Sequence, residues 1–137
     1  MAGVAYNEVK RALLAGEIDL DAHTLKIALV AAYTPNIDTH NGWADISANE
    51  ESGTGYTAGG KTLASLAVTE DTTNDRGKFD AADVTWTGLD VGTPSHAVLY
   101  DDTHATKCLI AYWPITTASN GGDYTLQFHA DGILLLS

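Results

Sequence analysis

GTGYTAGGKTLASLAVT, residues 53–69, is the stretch on which the interpretation of this chain depends. Its residues 55–62 fit the pattern G-x-x-x-x-G-K-[ST], which forms the phosphate-binding loop of nucleotide hydrolases. Such a loop lies between a buried parallel strand and the N-terminus of a helix. Here residues 36–54 are polar, and residues 63–69 are followed at once by the turn-forming segment EDTTNDRG. We therefore expect a tight turn at Gly59 and Gly60 that leads into a strand, and no nucleotide site.

Short apolar or alternating segments recur along the rest of the chain, separated by turns rich in Gly, Asp, Asn and Pro. Strands at roughly even spacing are typical of an antiparallel sandwich or barrel. The predicted fold is mainly β, an antiparallel β-sandwich or jelly-roll-like domain with one short N-terminal helix, in a single domain of residues 1–137. The predicted strands are residues 24–32, 61–69 (with Thr62, Ala64, Leu66 and Val68 on one face), 78–86 (with Ala82, Val84 and Trp86 on one face), 96–100, 108–113, 124–129 and 133–136.

Residues 5–15, AYNEVKRALLA, have the periodicity of a helix. Tyr6, Val9 and Leu13 fall at positions i, i+3 and i+7 and form an apolar stripe, and Gly16 is placed to end the helix in a left-handed conformation. A helix this short is marginal alone in water, so its stripe must pack on the β core or on a neighbouring subunit. The predicted organisation is an N-terminal helix or arm at residues 1–16, followed by a β domain at residues 24–137.

The net charge of the chain argues against a nucleic-acid partner, and the length of its apolar runs argues against a membrane. Seven basic and eighteen acidic residues give a net charge of −11 at pH 7, whereas nucleic-acid binding requires basic patches. No apolar run is long enough to span a membrane, and the N-terminal charges lie inside the apolar stretch rather than ahead of it, unlike in a signal peptide. We expect a soluble protein made in the cytoplasm, with neither nucleic acid nor membrane as a partner, and an acidic surface that favours a neutral or basic partner.

Residues capable of catalysis or metal binding are present, but they form no familiar pattern. The five histidines include no i, i+4 helical pair, and most aspartates lie in turns, where they cap the backbone. Neither an EF-hand loop nor a G-x-S-x-G motif occurs, and the single cysteine, Cys108, is expected to be a small buried hydrophobic residue. We predict no enzyme activity, no catalytic residues, no cofactor and no metal, with calcium at an Asp-rich turn left open.

Trp43 stands apart from the other two tryptophans. Trp86 and Trp113 lie in apolar strands and are predicted to be in the core, whereas Trp43 belongs to a polar connection at residues 33–52. Long connections in small domains are often functional or contact loops. The candidate assembly contacts are therefore Tyr6, Val9, Leu13 and Trp43.

The chain also resembles a protein family, through segments that together cover nearly all of it. They are YNEVKRALLAGEIDLDAHTLKIALV (residues 6–30), YTPNIDTH (33–40), SGTGYTAGGKTLA (52–64), DAADVTWT (80–87), AVLYDD (97–102), LIAYW (109–113) and NGGDYTLQFHADGILLLS (120–137). With these segments the chain resembles a family of small virion structural proteins of tailed bacteriophages, whose members are head-associated or fibre-like. The resemblance implies a non-enzymatic structural role and no catalytic residues.

The resemblance and the composition lead to one expected function and two alternatives. We expect a capsid decoration protein of the virion that binds the major capsid protein or other virion proteins and stabilises the head. The first alternative is a tail or fibre component that contacts other virion proteins or the host surface, and the second, a nucleotide hydrolase, rests only on the motif at residues 55–62. Closed symmetry suggests a homo-oligomer, with a trimer as the working model. Removal of residues 1–16 is expected to weaken assembly more than the β fold, and residues 133–136 are expected to join the helix stripe against a neighbour.

Overall fold

Residues 3–137 are the part of the chain that the computed structural model describes, and within them lie one α-helix, ten β-strands and two short 3-10 helices. The helix is α1 (Asn7–Leu14) and the 3-10 helices are Trp43–Asp45 and Ser47–Asn49. The strands are β1 (Val4–Ala5), β2 (Leu25–Val30), β3 (Lys61–Thr62), β4 (Ala67–Asp71), β5 (Arg76–Asp80), β6 (Val84–Trp86), β7 (His96–Asp101), β8 (Leu109–Pro114), β9 (Tyr124–Leu126) and β10 (Leu134–Leu136).

The strands form three antiparallel sheets that pack together. The main sheet has the order β1-β8-β7-β2-β3, a three-stranded sheet has the order β10-β5-β4, and β6 pairs with β9. The predicted fold class is therefore confirmed: the protein is mainly β and antiparallel, with one short N-terminal helix. Strands that are apolar on both faces, such as β2, occupy the middle of the main sheet, where both faces are covered.

One face of the main sheet carries the main core. Leu25, Ile27 and Leu29 of β2 alternate onto this face and pack with the helix and with the two smaller sheets. A β-bulge interrupts the β7–β8 ladder between Leu99 and Tyr100. The smaller sheets and their connections contribute Phe79, Val84, Trp86, Leu89, Phe128 and Ile133 to this core.

The opposite face of the main sheet carries an aromatic cluster beneath the polar connection predicted at residues 33–52. Tyr33 and Ile46 of this connection are buried against the sheet, and Trp43 is half-buried there. The connection is thus a cover for the second face of the sheet. The buried members of the aromatic cluster are Tyr6, Ala28, Val30, Tyr33, Ile46, Val98, Tyr100 and Leu109.

The N-terminal segment is built into this β fold. β1 pairs with β8, so the chain enters α1 from within the main sheet. Tyr6 precedes the helix as its N-cap residue and lies in the aromatic cluster, whereas Val9 and Ala12 lie in the main core on the other face. Of the two alternatives for the helix stripe, the chain uses its own β core. Gly16 ends the helix region with φ +72°, as predicted.

Two predicted strands are each divided in the structure. In residues 61–69, Ser65 has φ +56° between β3 and β4, and Leu63 is buried while Thr62 and Val68 are exposed. The predicted shared face of this strand is wrong, because the chain leaves the main sheet near Ser65 and enters another sheet. Residues 78–86 are divided between β5 and β6 in the same way, so Val84 and Trp86 are buried together but Ala82 is exposed.

Candidate functional site

The predicted contact residues do not share one surface. Tyr6 and Val9 are fully buried within the chain, so in this fold they offer no surface to a partner. Leu13 is half-buried against the main core. Trp43 is also half-buried, because its ring stacks on Tyr100 with 4.7 Å between ring centroids. A contact role for Leu13 and Trp43 stays a prediction.

The glycines of the nucleotide-like motif serve backbone packing. Gly60 has φ +81°, and a Cβ there would overlap the carbonyl oxygen of Ile27 in β2. Gly55 has φ +80°, and a Cβ there would overlap the backbone at Gly88. Both positions therefore require glycine so that the loop can lie directly against neighbouring chain segments.

A carboxylate of the chain itself occupies part of this loop. Glu50 Oε1 accepts hydrogen bonds from the backbone N–H of Gly59, at 2.5 Å, and from the Tyr56 hydroxyl, at 2.9 Å. Burial and the neighbouring Glu50 carboxylate raise the pKa of Tyr56 above its usual range, so its hydroxyl remains a donor. The Gly59 N–H, a backbone donor that a phosphate would need, is thus already hydrogen-bonded to Glu50.

The elements around the motif also differ from those of a nucleotide hydrolase. The Gly60 N–H donates to the Thr57 carbonyl at 3.0 Å, which closes a tight turn that leads directly into β3. In the described residues the elements after Thr62 are strands, and no helix begins there. The interpretation as a turn and strand is confirmed, although the strand is shorter than predicted.

A charged network links α1 to the turns at one end of the main sheet. The Arg11 guanidinium donates to Glu8 and to Glu17, and the Glu17 carboxylate also lies 3.1 Å from His104 Nε2. These hydrogen bonds lower the pKa of Glu17 to about 2. Because His104 is 87 residues from Glu17 in the sequence, the network links the helix region to the turn after β7.

Asp101 is a fully buried carboxylate at the end of β7, paired with a histidine. Its Oδ2 lies 2.6 Å from His23 Nδ1, and its Oδ1 accepts hydrogen bonds from the backbone N–H groups of Thr103 and His104. An Asp–His pair can serve in acid–base catalysis, but a hydrolytic triad also needs a nucleophile on the histidine. In residues 3–137 no hydroxyl or thiol side chain is hydrogen-bonded to His23, so the contacts support a structural role for the pair.

The other residues considered for metal binding or thiol chemistry also lie in positions that indicate a structural role. Residues 3–137 contain no group of three His, Cys, Asp or Glu side chains arranged to hold a metal ion. Cys108 is fully buried, as predicted, and burial raises the pKa of its thiol to about 12. A protonated, inaccessible thiol is a poor nucleophile.

Three exposed apolar side chains, Val68, Leu135 and Leu136, belong to the three-stranded sheet β10-β5-β4, which we call the outer sheet. Paired residues share a face, so Val68, Phe79 and Leu134 form one row, and Glu70, Gly77 and Leu136 form the row beyond it. Phe79 is buried in the main core, whereas Val68 is 51% exposed and Leu136 is 73% exposed. The sheet therefore contacts the core at Phe79 and presents apolar side chains beyond it.

The outer sheet also has edges without a paired strand. β4 and β10 are its outermost strands, and the described part of the chain pairs no further strand with either. Unpaired edges are sites at which another chain can add a strand. Glu70 and Asp71 on β4 carry the kind of charge that limits uncontrolled pairing.

A shallow groove on the opposite side of the main sheet contains Trp43. It has a volume of about 710 Å³, and Glu8, Asp45, Asn41 and Lys107 contribute to its lining. Asp45 is engaged locally, because its Oδ2 accepts hydrogen bonds from the backbone N–H groups of Asn41 and Gly42. The charged residues of its lining are of both signs.

Comparison with known proteins gives no relative for this chain: no protein-family model, curated protein or solved structure matches it. Within residues 3–137 no helix has the length and apolar character needed to cross a membrane.

Sequence reasoning anticipated only part of the outer sheet. The apolar run at residues 133–136 was expected to meet a neighbour together with the helix stripe. Ile133 is instead buried in the main core, while Leu135 and Leu136 are exposed on a different sheet from the helix. The sequence shows the apolar residues Val68 and Leu136 but not which strands pair around them.

Proposed function

We propose that this chain is a non-enzymatic structural protein of a bacteriophage virion, a decoration protein that binds the outside of the head and stabilises it. The observation that carries the proposal is the outer sheet, which combines unpaired strand edges with exposed apolar side chains. The resemblance of the sequence to small virion structural proteins supports the same role.

Strand addition is the contact that this surface is suited to make. A partner strand on the edge of β4 would complete its backbone hydrogen bonds, and apolar side chains would cover Val68 and Leu136. Exposed apolar patches on a protein surface commonly mark interaction sites. The partner in this proposal is the major capsid protein or another virion protein.

The charges near the outer sheet favour a neutral or basic partner. Arg76 donates to Asp71 at 2.8 Å and to Asp131 at 3.1 Å, and Lys78 donates to the Ala130 carbonyl. The nearby cations are therefore already engaged, and the chain carries a net charge of −11. A strongly acidic partner surface would be repelled.

The decisive experiment measures co-sedimentation of the purified protein with undecorated heads. Leu136→Glu is the test variant and Leu14→Glu its matched control, because both leucines are exposed and only Leu136 lies on the outer sheet. We expect Leu136→Glu to weaken binding by about tenfold or more, the effect of losing one well-covered contact, and Leu14→Glu to bind as the natural chain does.

Two outcomes would contradict the proposal. Equal binding by both variants would remove the outer sheet from the contact. Absence of binding to heads, combined with labelling of the protein on tails, would favour a tail or fibre component, to which the resemblance to fibre-like proteins also points.

A further inference from the structure

Gly77 lies in the middle of the outer sheet, at a position that the fold does not reserve for glycine. It belongs to the central strand β5 and pairs with Glu70 on one side and with Leu136 on the other. Its φ lies outside the left-handed range, and a Cβ there would meet only the Leu136 carbonyl oxygen, at an ordinary 3.8 Å. Neither its conformation nor a close contact within residues 3–137 therefore requires glycine.

The missing side chain of Gly77 leaves a notch on one face of the outer sheet. Gly77 and Phe79 are two residues apart in β5, so both positions face the same side. Phe79 is buried in the main core, whereas Gly77 is exposed just beyond the part of the face that the core covers. A glycine inside a strand weakens the strand and often marks a place where a ligand or another chain approaches closely.

The surroundings of this notch are apolar on one side and acidic on the other. Leu136 and Val68 are exposed and face the same side of the sheet as Gly77. Glu70, directly opposite Gly77 on β4, is exposed and takes part in none of the ion pairs within residues 3–137. We call these four residues, Val68, Glu70, Gly77 and Leu136, the Gly77 notch.

The cations of the chain do not supply a partner for Glu70. Arg76 and Lys78 flank Gly77 in β5 and so face the opposite side of the sheet, and both are already hydrogen-bonded within the chain. The other arginine, Arg11, is ion-paired with two glutamates near the helix. A second copy of the chain therefore has no unpaired arginine to offer, and the Glu70 charge favours a different, basic partner.

We propose that the Gly77 notch receives an arginine side chain of the virion protein to which this chain binds. The aliphatic stem of the arginine lies over Gly77 against Leu136, and its guanidinium pairs with the Glu70 carboxylate. Arginine suits such a site because its stem covers apolar surface while its planar, weakly hydrated head pairs with a carboxylate. The identity of the partner rests on the proposed function, whereas the chemistry of the notch does not.

The first test compares Gly77→Val with Thr69→Val in co-sedimentation with undecorated heads. Both changes add a valine to the outer sheet, but Thr69 pairs with Lys78 and so faces the opposite side. Strands accommodate valine readily, so both free chains should unfold at no lower urea concentration than the natural chain. We expect Gly77→Val to weaken head binding by about tenfold or more, because the added side chain fills the notch, and Thr69→Val to bind as the natural chain does.

The second test changes the charge of the notch. Glu70→Gln and Asp123→Asn each remove one carboxylate from an exposed position, and only Glu70 belongs to the notch. We expect Glu70→Gln to weaken head binding by about tenfold, as for the loss of one charged hydrogen bond. Asp123→Asn should leave head binding unchanged.

A probe peptide tests the notch without the virion. The probe is a short capped peptide of threonine and valine with one central arginine, and its counterpart carries citrulline, the uncharged analogue of arginine. Binding is followed through the Gly77 backbone amide signal in ¹H–¹⁵N NMR at one ionic strength, so that general salt effects are constant. We expect a saturable shift, with the arginine peptide binding about tenfold more tightly than the citrulline peptide, and Glu70→Gln to remove that difference.

Several outcomes would overturn the proposal. These are equal, measurable head binding by Gly77→Val and Thr69→Val, equal affinity of the two peptides, or marked destabilisation of the free Gly77→Val chain, which would show that the fold itself requires glycine there. Loss of self-association rather than of head binding in Gly77→Val would overturn it in favour of a second copy. If the natural chain fails to bind heads but the arginine peptide binds at Gly77, the proposed function fails while the notch stands.

Discussion

Gly60 requires a residue without a side chain for two separate physical reasons. Its φ of +81° is strained for other residues, and a Cβ would overlap the Ile27 carbonyl oxygen. Gly92 has nearly the same φ, +80°, with nothing within 4 Å of the position of its Cβ. Comparing substitutions at these two glycines therefore separates the free-energy cost of the left-handed conformation from the cost of the steric overlap.

We expect Gly92→Ala to lower the free energy of unfolding by about 1 kcal/mol, the usual cost of a left-handed conformation. Gly60→Ala should lower it by about 3 kcal/mol or more, because β2 or the loop must also move. Urea unfolding of both variants measures the difference. Equal losses would show that the loop does not lie against β2 as described.

Cys108 and Tyr100 make the free energy of unfolding depend on pH in the alkaline range. Burial raises the pKa of the Cys108 thiol to about 12 and that of the Tyr100 hydroxyl to about 12. In the unfolded chain these groups titrate near about 8.5 and 10. As the pH rises between these values, the unfolded chain releases protons that the folded chain keeps, so the free energy of unfolding falls.

The contribution of both groups is thus fully present below about pH 8.5 and is lost as the pH approaches about 12. Urea unfolding at about pH 8 and about pH 11 should show this loss, and Cys108→Ala should reduce the dependence. A thiol reagent should modify Cys108 only in the unfolded chain. Rapid modification of the folded protein at neutral pH would contradict the assigned burial.

Tyr6 shows where residue-level reasoning from the sequence fails. The i, i+3, i+7 spacing correctly placed Val9 on an apolar helix face that becomes buried, but it left open whether the β core or a neighbour covers that face, and it placed Tyr6 on the same stripe. Tyr6 is the N-cap residue with extended backbone angles, so helical periodicity does not apply to it. Its hydroxyl instead pairs with that of Tyr33 at 2.8 Å, a contact 27 residues away that local periodicity cannot predict.

At the level of elements, the sequence predicts which segments form strands but not which strands pair with one another. The segment predicted at residues 124–129 contains β9, and the apolar segment predicted at residues 108–113 corresponds to β8, a strand inside the main sheet. The segments at residues 61–69 and 78–86 read as single strands because a period of two persists across a change of sheet. The outer sheet arises from these changes, which explains why its exposure was not foreseen.

The N-terminal segment gives the clearest prediction at this scale. Removal of residues 1–16 should now abolish folding, because β1 would be lost from β8 and Val9 and Ala12 from the main core. This outcome differs from the sequence-based expectation that assembly would suffer more than the β fold. Circular dichroism and urea unfolding of the truncated chain test it.

A point substitution avoids the ambiguity of a large deletion. Tyr6→Ala should lower the free energy of unfolding by about 3–5 kcal/mol, as expected for a buried aromatic side chain. Leu14→Ala, on the same segment but 88% exposed, should change it by less than about 0.5 kcal/mol. A stable, cooperatively unfolding Tyr6→Ala variant would mean that the segment is a separable arm after all.

For the whole molecule, net charge and the outer sheet act in opposite directions on self-association. A charge of −11 makes copies of the chain repel one another, while Val68 and Leu136 favour contact. A head surface repeats its contact sites by symmetry, and its three-fold positions suit a trimer. Added salt screens the repulsion but leaves apolar contact in place.

We therefore expect the free chain to form trimers whose population increases with NaCl concentration, because salt screens the electrostatic repulsion between the acidic copies. Light scattering and sedimentation equilibrium at low and high salt measure the population. Leu136→Glu should remain monomeric at both salt concentrations, since it adds charge to the apolar surface, while Leu14→Glu adds the same charge elsewhere and should behave as the natural chain does. A chain that is monomeric at every salt concentration yet binds heads would mean that the outer sheet contacts the capsid protein alone, and three-fold assembly would then come from the head lattice.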